Sequence, residues 1–268
     1  MRELLRRGFL VLFSASLLAT TWLTALPALA WEREPLSVFH ERRVKLLRET
    51  GGDGLMVLFG HREQDIGAST TPFRQNENFY YLTGWNEPDG MLLLVPKVAK
   101  GANQPVELDK EILFIPPRDY RQEKWTGPKL GPDDPDASVR AGFPTVKSTG
   151  LFPSELQEAL KTFTKIYTEV TPEAESGEDC FVPEMLSTLK KLAPLANFAD
   201  FRATLNRMRM VKSPGEIALI RKATEASIEA HLVALKAVRA GAWEYEVAAR
   251  MKYEFERLGC ERPGYPPI

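Results

Sequence analysis

The side chains that could do acid–base or metal chemistry are few and scattered along the chain. The histidines are His40, His61 and His231. None of them stands in the H-E-x-x-H pattern that places two metal ligands on one helix face. Three aspartates gather in GPDDPD (131–136), but the prolines and glycine there favour a turn over a calcium loop. The G-x-S-x-G, G-x-G-x-x-G and Walker patterns are absent, so the residues alone predict no catalytic set.

Composition excludes some classes of function. The chain carries 35 Lys and Arg against 36 Asp and Glu with no basic patch, which argues against nucleic-acid binding. At 44% hydrophobic residues it can bury a core of one or two domains. The two cysteines, Cys180 and Cys260, leave open a single disulfide or two separate buried thiols.

The first thirty residues are typical of a secretory signal. Arginines precede an apolar run from Gly8 to about Leu23, and ALPALA, which ends at Ala30, offers small residues for cleavage. We therefore expect residues 1–30 to be removed and the mature protein to be exported, periplasmic or extracellular, with no membrane attachment after cleavage. An uncleaved membrane anchor is the alternative.

The elements that must position any site alternate between strands and helices. The predicted strands are LMVLF (55–59), NFYYLTG, MLLLVP, EILFIP and IYTEV (166–170), and helices are predicted over 37–50, 154–163 and 183–192. Ser37 is the predicted cap of the first helix, and Ser154 with Gln157 the predicted capping box of the second. This alternation predicts an α/β fold with a mixed sheet and helices on its faces.

After a predicted junction at 192–208 the pattern becomes helical. Ser213 can cap a helix that starts at Pro214, with apolar residues at three-to-four spacing from Ile217 to Val238. His231 falls on this stripe, where a hydrogen-bonded core histidine is commoner than a ligand. A second amphipathic helix follows. Two such helices need a sheet or further helices to bury their stripes, so either the chain stops inside a second domain or the pair packs on the first.

Four stretches together resemble one known family. FRQNENFYYLTGWNEPDGMLLLVP and EKWTGPKLGP resemble the aminopeptidase P amino-terminal domain, whereas MRMVKSPGEIALIRKATEASIEAH and GAWEYEVAARMKYEFERLGCERPGYPPI resemble the first helices of the pita-bread metallopeptidase fold. The resemblance covers roughly residues 36–268. It implies an amino-terminal domain over 31–205 and the beginning of an incomplete pita-bread α+β domain over 206–268.

The resemblance implies an Xaa-Pro aminopeptidase, which removes the first residue from peptides with proline second. The family uses two divalent metal ions, usually manganese, held by two aspartates, a histidine and two glutamates. All five follow the segment that matches GYPPI, so the resemblance places no catalytic residue and no metal ligand in this chain, and we expect the 268 residues alone to be inactive. A prolidase- or creatinase-like relative and a non-catalytic substrate-gating or oligomerisation module are the alternatives.

The resemblance also suggests three residues that serve substrate access or assembly. It implies that the protein assembles as a homo-oligomer. Trp125 matches a tryptophan that in some relatives reaches the substrate pocket of a neighbouring subunit; packing at the rim of its own domain is the alternative. Arg74 and Glu77 are candidates for an ion network at a domain interface, or else lie in a solvated loop.

Overall fold

A computed structural model describes residues 33–63, 73–98, 105–170 and 181–264. The predicted signal and Cys180 lie outside these ranges. The chain divides into compact units, one of which is Glu34–Ser213, while Pro214 and all that follows belong to the other. The predicted family domain border at 205/206 stays a prediction.

The first unit is built on a six-stranded sheet. Its strands are β1 Leu55–Phe59, β2 Met91–Pro96, β3 Leu108–Ile115, β4 Thr145–Ser148, β5 Lys165–Thr168 and β6 Asn197–Asp200, in the order β4-β3-β2-β1-β5-β6. The three central strands, β1 to β3, pair antiparallel, and the outer strands join in parallel. The predicted mixed-sheet α/β fold class is confirmed.

Helices cover both faces of this sheet. They are α1 Leu36–Glu49, α2 Glu77–Thr83, α3 Glu123–Thr126, α4 Ala137–Ala141, α5 Phe152–Leu160, α6 Phe181–Leu192 and α7 Arg202–Met210. Strand side chains alternate between the faces: Leu58 belongs to the core cluster beneath α1, whereas Val57 belongs to the cluster beneath α5. All five residues of β1 are buried for this reason, as expected of a strand covered on both sides.

The segment NFYYLTG is not the strand that its aromatic residues predict but most of helix α2. Asn76 caps this helix, because its side-chain oxygen accepts hydrogen bonds from the backbone N–H groups of Asn78 and Phe79, both at 2.9 Å. Gly84 ends the helix with a φ of 66°, in the left-handed region that glycine tolerates. The capping residue and the terminal glycine outweigh the β-propensity of Phe79 and its neighbours.

Other local predictions differ from the structure. The predicted junction at 192–208 holds strand β6 and most of helix α7, and β4 was not predicted. The predicted caps of the first two helices fail because α1 begins at Leu36 with no side-chain cap, and because Ser154 lies inside α5, where its Oγ donates to Leu151 O at 2.8 Å.

The second unit shows two described helices, α8 Pro214–Ala237 and α9 Glu244–Arg257. The buried residues of α8 are small: Ala226, Ala230, Ala234 and Ala237. The predicted apolar stripe is exposed instead, with Ile228 54% and Leu235 71% accessible. His231 is also exposed rather than in a core, although its Nδ1 lies 2.7 Å from Ser227 O. No helix within the described ranges is long and apolar enough to span a bilayer.

Candidate functional site

Gln75, the middle residue of the RQN sequence at 74–76, joins three separate segments of the first unit through hydrogen bonds. This side chain is 3% exposed; its Oε1 accepts from the N–H of His61 at 2.7 Å and from that of Asn76 at 2.9 Å, and its Nε2 donates to Glu87 O at 2.8 Å. A Cβ at Gly60 would lie 2.9 Å from the Gln75 oxygen, so a larger residue there would displace this side chain from its hydrogen bonds. This one side-chain amide thereby joins the end of β1 to the start of α2 and to the turn before β2.

The two asparagines of the motif hold a buried carboxylate. Asn78 Nδ2 donates to Glu169 Oε1 at 2.6 Å and Asn76 Nδ2 to Glu169 Oε2 at 3.3 Å. Glu169 is 9% exposed, and this burial raises the pKa of its carboxyl above the ordinary value, although the amide hydrogen bonds act in the opposite sense. Sequence reasoning missed Glu169, which lies more than ninety positions from its partners.

Two of the predicted site residues, Arg74 and Glu77, do lie together in an ion network. Arg74 pairs with Glu77, and Arg209 of α7 donates to Glu77 Oε2 at 2.8 Å and to Asn78 Oδ1 at 2.6 Å. The hydrogen bonds from Arg74 and then Arg209 lower the pKa of Glu77 despite partial burial. The network is half-exposed and ties α2 to α7 within the first unit; a role between domains stays a prediction.

The third predicted residue, Trp125, lies elsewhere and projects outward. It is 91% exposed on α3 and, among the described residues, shares no hydrogen bond or ion pair with Arg74 or Glu77. The indole is therefore not packed against the first unit. An exposed indole on a defined helix is available to a molecule outside this unit.

The base of α3 is braced by ion pairs that sequence reasoning missed. Arg118 forms a two-pronged pair with Glu123, with N–O distances of 2.7 and 2.6 Å, and its Nη1 lies 3.5 Å from Asp134. The Arg118 hydrogen bonds lower the pKa of Glu123, and the pKa of Arg118 is raised in return. Asp119 holds the turn before α3, since its Oδ1 accepts from the N–H of Arg121 at 2.8 Å and from that of Gln122 at 3.3 Å.

A fully buried arginine on α1 connects this helix to a neighbouring strand and to two other helices. Arg43 on α1 has no exposed surface and donates to Glu111 Oε2 at 2.8 Å, to Leu82 O at 2.8 Å and to Gly142 O at 3.1 Å. Burial lowers the pKa of Arg43, and Glu111 opposes this shift. The single guanidinium therefore fixes α1 against β3 and against the ends of α2 and α4.

The residues that could bind a metal do not converge. His61 Nδ1 lies 3.0 Å from Arg74 O, and His40 Nδ1 lies 2.8 Å from Glu111 Oε1. In GPDDPD, Asp134 Oδ2 accepts from the N–H of Gly131 at 2.8 Å, as the predicted turn requires. Within the described ranges no group of three or more His, Cys, Asp or Glu residues could hold a metal ion.

Comparisons with known proteins find matches to peptidases in both units. The model of the aminopeptidase P N-terminal domain matches residues 39–167, and that of metallopeptidase family M24 matches residues 218–268. The Xaa-Pro aminopeptidase of Haemophilus influenzae is 31% identical over 235 residues, 87% of this chain and 50% of the relative. That of Escherichia coli is 31% identical, over 86% of this chain and 51% of the relative. The chain thus spans about half the length of these relatives.

Solved structures agree with the sequence comparisons. A variant of Escherichia coli aminopeptidase P superposes with a TM-score of 0.68 and 28% identity, over 87% of this chain and 52% of that one. The aminopeptidase PepP of Pseudomonas aeruginosa gives a TM-score of 0.69 and 26% identity, over 87% and 51%. Both parts of the sequence match one family in that family's own order, so the chain belongs to the aminopeptidase P family of M24 metallopeptidases and carries its amino-terminal domain and the beginning of its catalytic domain.

Proposed function

We propose that this chain forms the entrance wall of an Xaa-Pro aminopeptidase, which removes the first residue of peptides that have proline second. The names of the relatives, Xaa-Pro aminopeptidases from two bacteria, support the reaction class. The observation that carries the proposal for this chain is the exposed indole of Trp125 on a helix that Arg118 and Glu123 brace.

The indole suits the proposed substrate. The nitrogen of a proline residue in a peptide carries no hydrogen, so a site must recognise the ring by shape and contact rather than by that hydrogen bond. An aromatic face offers a large, rigid apolar surface for such contact. We propose that Trp125 places this surface beside the substrate pocket of a neighbouring copy in a homo-oligomer, while the Arg74–Glu77–Arg209 network sets the orientation of α7, the last helix before α8.

The described residues do not fit the divalent metal pair that the family implies, because no donor set of three or more residues exists among them. We therefore assign no step of the hydrolysis to them. In this proposal the metal ions, which we expect to be manganese, are held by residues other than those described, and the 268 residues alone do not turn over substrate.

A complementation assay tests the proposal. The purified chain is supplied with manganese and an Xaa-Pro peptide, alone and after mixing with the carboxy-terminal half of Escherichia coli aminopeptidase P. We expect release of the first residue only from the mixture. Trp125→Ala should lower kcat/KM of the mixture about tenfold, in line with the energy of an aromatic contact plus the area it buries, and Trp125→Phe should lower it less.

Other outcomes separate the alternatives. Turnover by the chain alone would overturn the assignment of the metal ligands to other residues. A mixture that assembles in the ultracentrifuge yet hydrolyses nothing would count against the peptidase and favour a non-catalytic module.

We also propose that the protein is exported after cleavage behind Ala30, on the strength of the arginines and the apolar run before that residue. Amino-terminal sequencing of protein recovered from its cell of origin should then begin at Trp31. Recovery of the intact leader in a membrane fraction would favour an anchor instead.

A further inference from the structure

The leader that the proposed cleavage removes carries a pair of arginines directly before its apolar run. Arg6 and Arg7 are followed by Gly8, Phe9 and Leu10, so the sequence reads R-R-G-F-L. Paired arginines at this place mark a twin-arginine leader, which a receptor reads as an address. Export alone does not account for the pair, because a secretory leader needs only positive charge before its apolar run.

The type of these residues matters as well as their charge. Every cation of the leader is an arginine, and the first lysine of the chain is Lys45. A guanidinium presents its donors in a planar fork and can bind a carboxylate through two parallel hydrogen bonds, which the ammonium of lysine cannot do. A receptor with carboxylates for Arg6 and Arg7, and an apolar surface for Phe9 and Leu10, can therefore distinguish this leader from one that carries lysines.

The apolar run of the leader is a modest membrane signal. It contains four hydroxyl side chains, those of Ser14, Ser16, Thr20 and Thr21. Each hydroxyl lowers the free energy gained when the run enters a bilayer. Recognition of this leader therefore depends on a receptor more than recognition of a strongly apolar leader does.

The first unit closes a few residues behind the leader. It begins at Glu34, whereas the proposed cleavage leaves Trp31 as the first residue. Glu34 pairs with Arg42 of α1, and the side chains of the two residues are 7% and 9% exposed. Glu34 Oε1 also accepts from Ser213 Oγ at 3.0 Å. One buried carboxylate thereby joins the first residue of this unit to its last.

This closure makes the first unit complete without the leader. The strands and helices described for the unit lie between Leu36 and Met210, and Arg33, directly before Glu34, is exposed. A receptor can therefore reach the leader while the unit is folded. A chain threaded unfolded through a membrane cannot keep the contact from Glu34 to Ser213, which joins residues 179 positions apart.

We propose that the chain is exported in its folded state by a twin-arginine route, with Arg6 and Arg7 bound by carboxylates of the receptor. This inference rests on the proposed export and names its route. It has two independent consequences. Lysine cannot replace arginine in the pair, and the first unit has to fold before the chain leaves the cell.

Substitutions that conserve charge test the pair. The full chain with its leader is expressed in Escherichia coli, and the periplasmic fraction is assayed for the processed form that begins at Trp31. Arg6→Lys combined with Arg7→Lys keeps the charge of the leader and should abolish the processed form. Arg2→Lys is the matched control, because it makes the same exchange outside the pair and should be processed as the parent is.

Destabilisation of the first unit tests the folded state. Arg43→Ala leaves Glu111 buried without its guanidinium partner and should lower the processed fraction of the chain, because a route for folded proteins rejects an unfolded one. Arg43→Met with Glu111→Leu removes both charges and should restore that fraction. A route for unfolded chains would export Arg43→Ala at least as well as the parent.

Processing of the double lysine variant at the parent's level would overturn the proposal. An equal loss in Arg2→Lys would also overturn it, since the effect would then belong to the head of the leader and not to the pair. Undiminished processing of Arg43→Ala would contradict export in the folded state. If the parent itself keeps its leader, the proposed export fails; if the parent and the double variant are both processed, export stands and only the route fails.

Discussion

The two units differ in what their apolar residues touch. In the first unit, strands β1, β2 and β3 lie inside the sheet with helices on both faces, and most of their apolar side chains are buried. In the second, α8 buries four alanines and leaves Ile228 and Leu235 exposed. The same kind of periodicity predicts burial in both units. An amphipathic stripe therefore identifies a helix face that must be covered. It does not show whether the described residues provide that cover.

The largest expected effect comes from the buried charge of the first unit. Arg43→Ala leaves Glu111 buried without its guanidinium partner and should lower the free energy of unfolding by about 3–5 kcal/mol. Ile228→Ala on the exposed stripe of α8 should change it by roughly 0.5 kcal/mol or less. Urea unfolding followed by circular dichroism measures both.

The paired substitution Arg43→Met with Glu111→Leu is the control, because it removes both charges and should recover most of the loss. If Arg43→Ala and Ile228→Ala lowered the free energy of unfolding equally, the two units would not differ as described.

The second prediction concerns the surface of α8. Replacement of Ile220, Ile228 and Leu235 by serine should reduce binding of a hydrophobic dye several-fold, because these side chains are about half exposed or more. Serine at three exposed positions of the first unit, Val98, Val139 and Leu151, is the matched control and should change dye fluorescence little. If the two triple variants lower the signal alike, the stripe is not a distinct apolar surface.

A smaller effect is expected at the cap of α2. Asn76→Ala removes the oxygen that accepts from two backbone N–H groups and the amide that donates to Glu169, and should cost about 1–2 kcal/mol. Asn76→Asp keeps the cap but places a second carboxylate beside Glu169, so its loss should grow as the pH rises. Retention of full stability by Asn76→Ala would mean that Gly84 and packing suffice to hold this helix.

The smallest effect is a pH dependence. The pKa of Glu169 is raised in the folded state, so the native protein holds a proton at pH values where the unfolded chain has lost it. The stability that this proton contributes is complete below the unfolded pKa and is lost as the pH rises through the folded pKa. Glu169→Gln should therefore flatten the decline of stability between acidic and neutral pH, as measured by thermal unfolding across that range. An unchanged slope would place the titration elsewhere.

Much of the sheet could be predicted because LMVLF and MLLLVP are short apolar runs, which in an α/β fold are strands buried on both faces. Helix α2 could not be predicted from its aromatic residues, since the capping oxygen of Asn76 decided its structure. Strand β6 was missed because it alternates little and lies at the sheet edge, with neither end residue buried.

The candidate site was predicted only through resemblance. Arg74, Glu77, Trp125 and Arg209 stand in sequence stretches that resemble the family, but the resemblance did not single out Arg209, and Arg43 lies outside those stretches. The partners of Arg43 and Arg209 lie 68 and 132 positions away, and no local pattern marks a contact that only the completed fold creates.

Gln75 has a consequence for how this protein can vary. Its oxygen accepts from the backbone N–H groups of His61 and Asn76, and its amide nitrogen donates to the backbone oxygen of Glu87. Because all three bonds run to main-chain atoms, the side chains at 61 and 87 can change without breaking them. Replacement of Gln75 itself removes all three bonds at once, so this position should tolerate far less change than the positions it is bonded to.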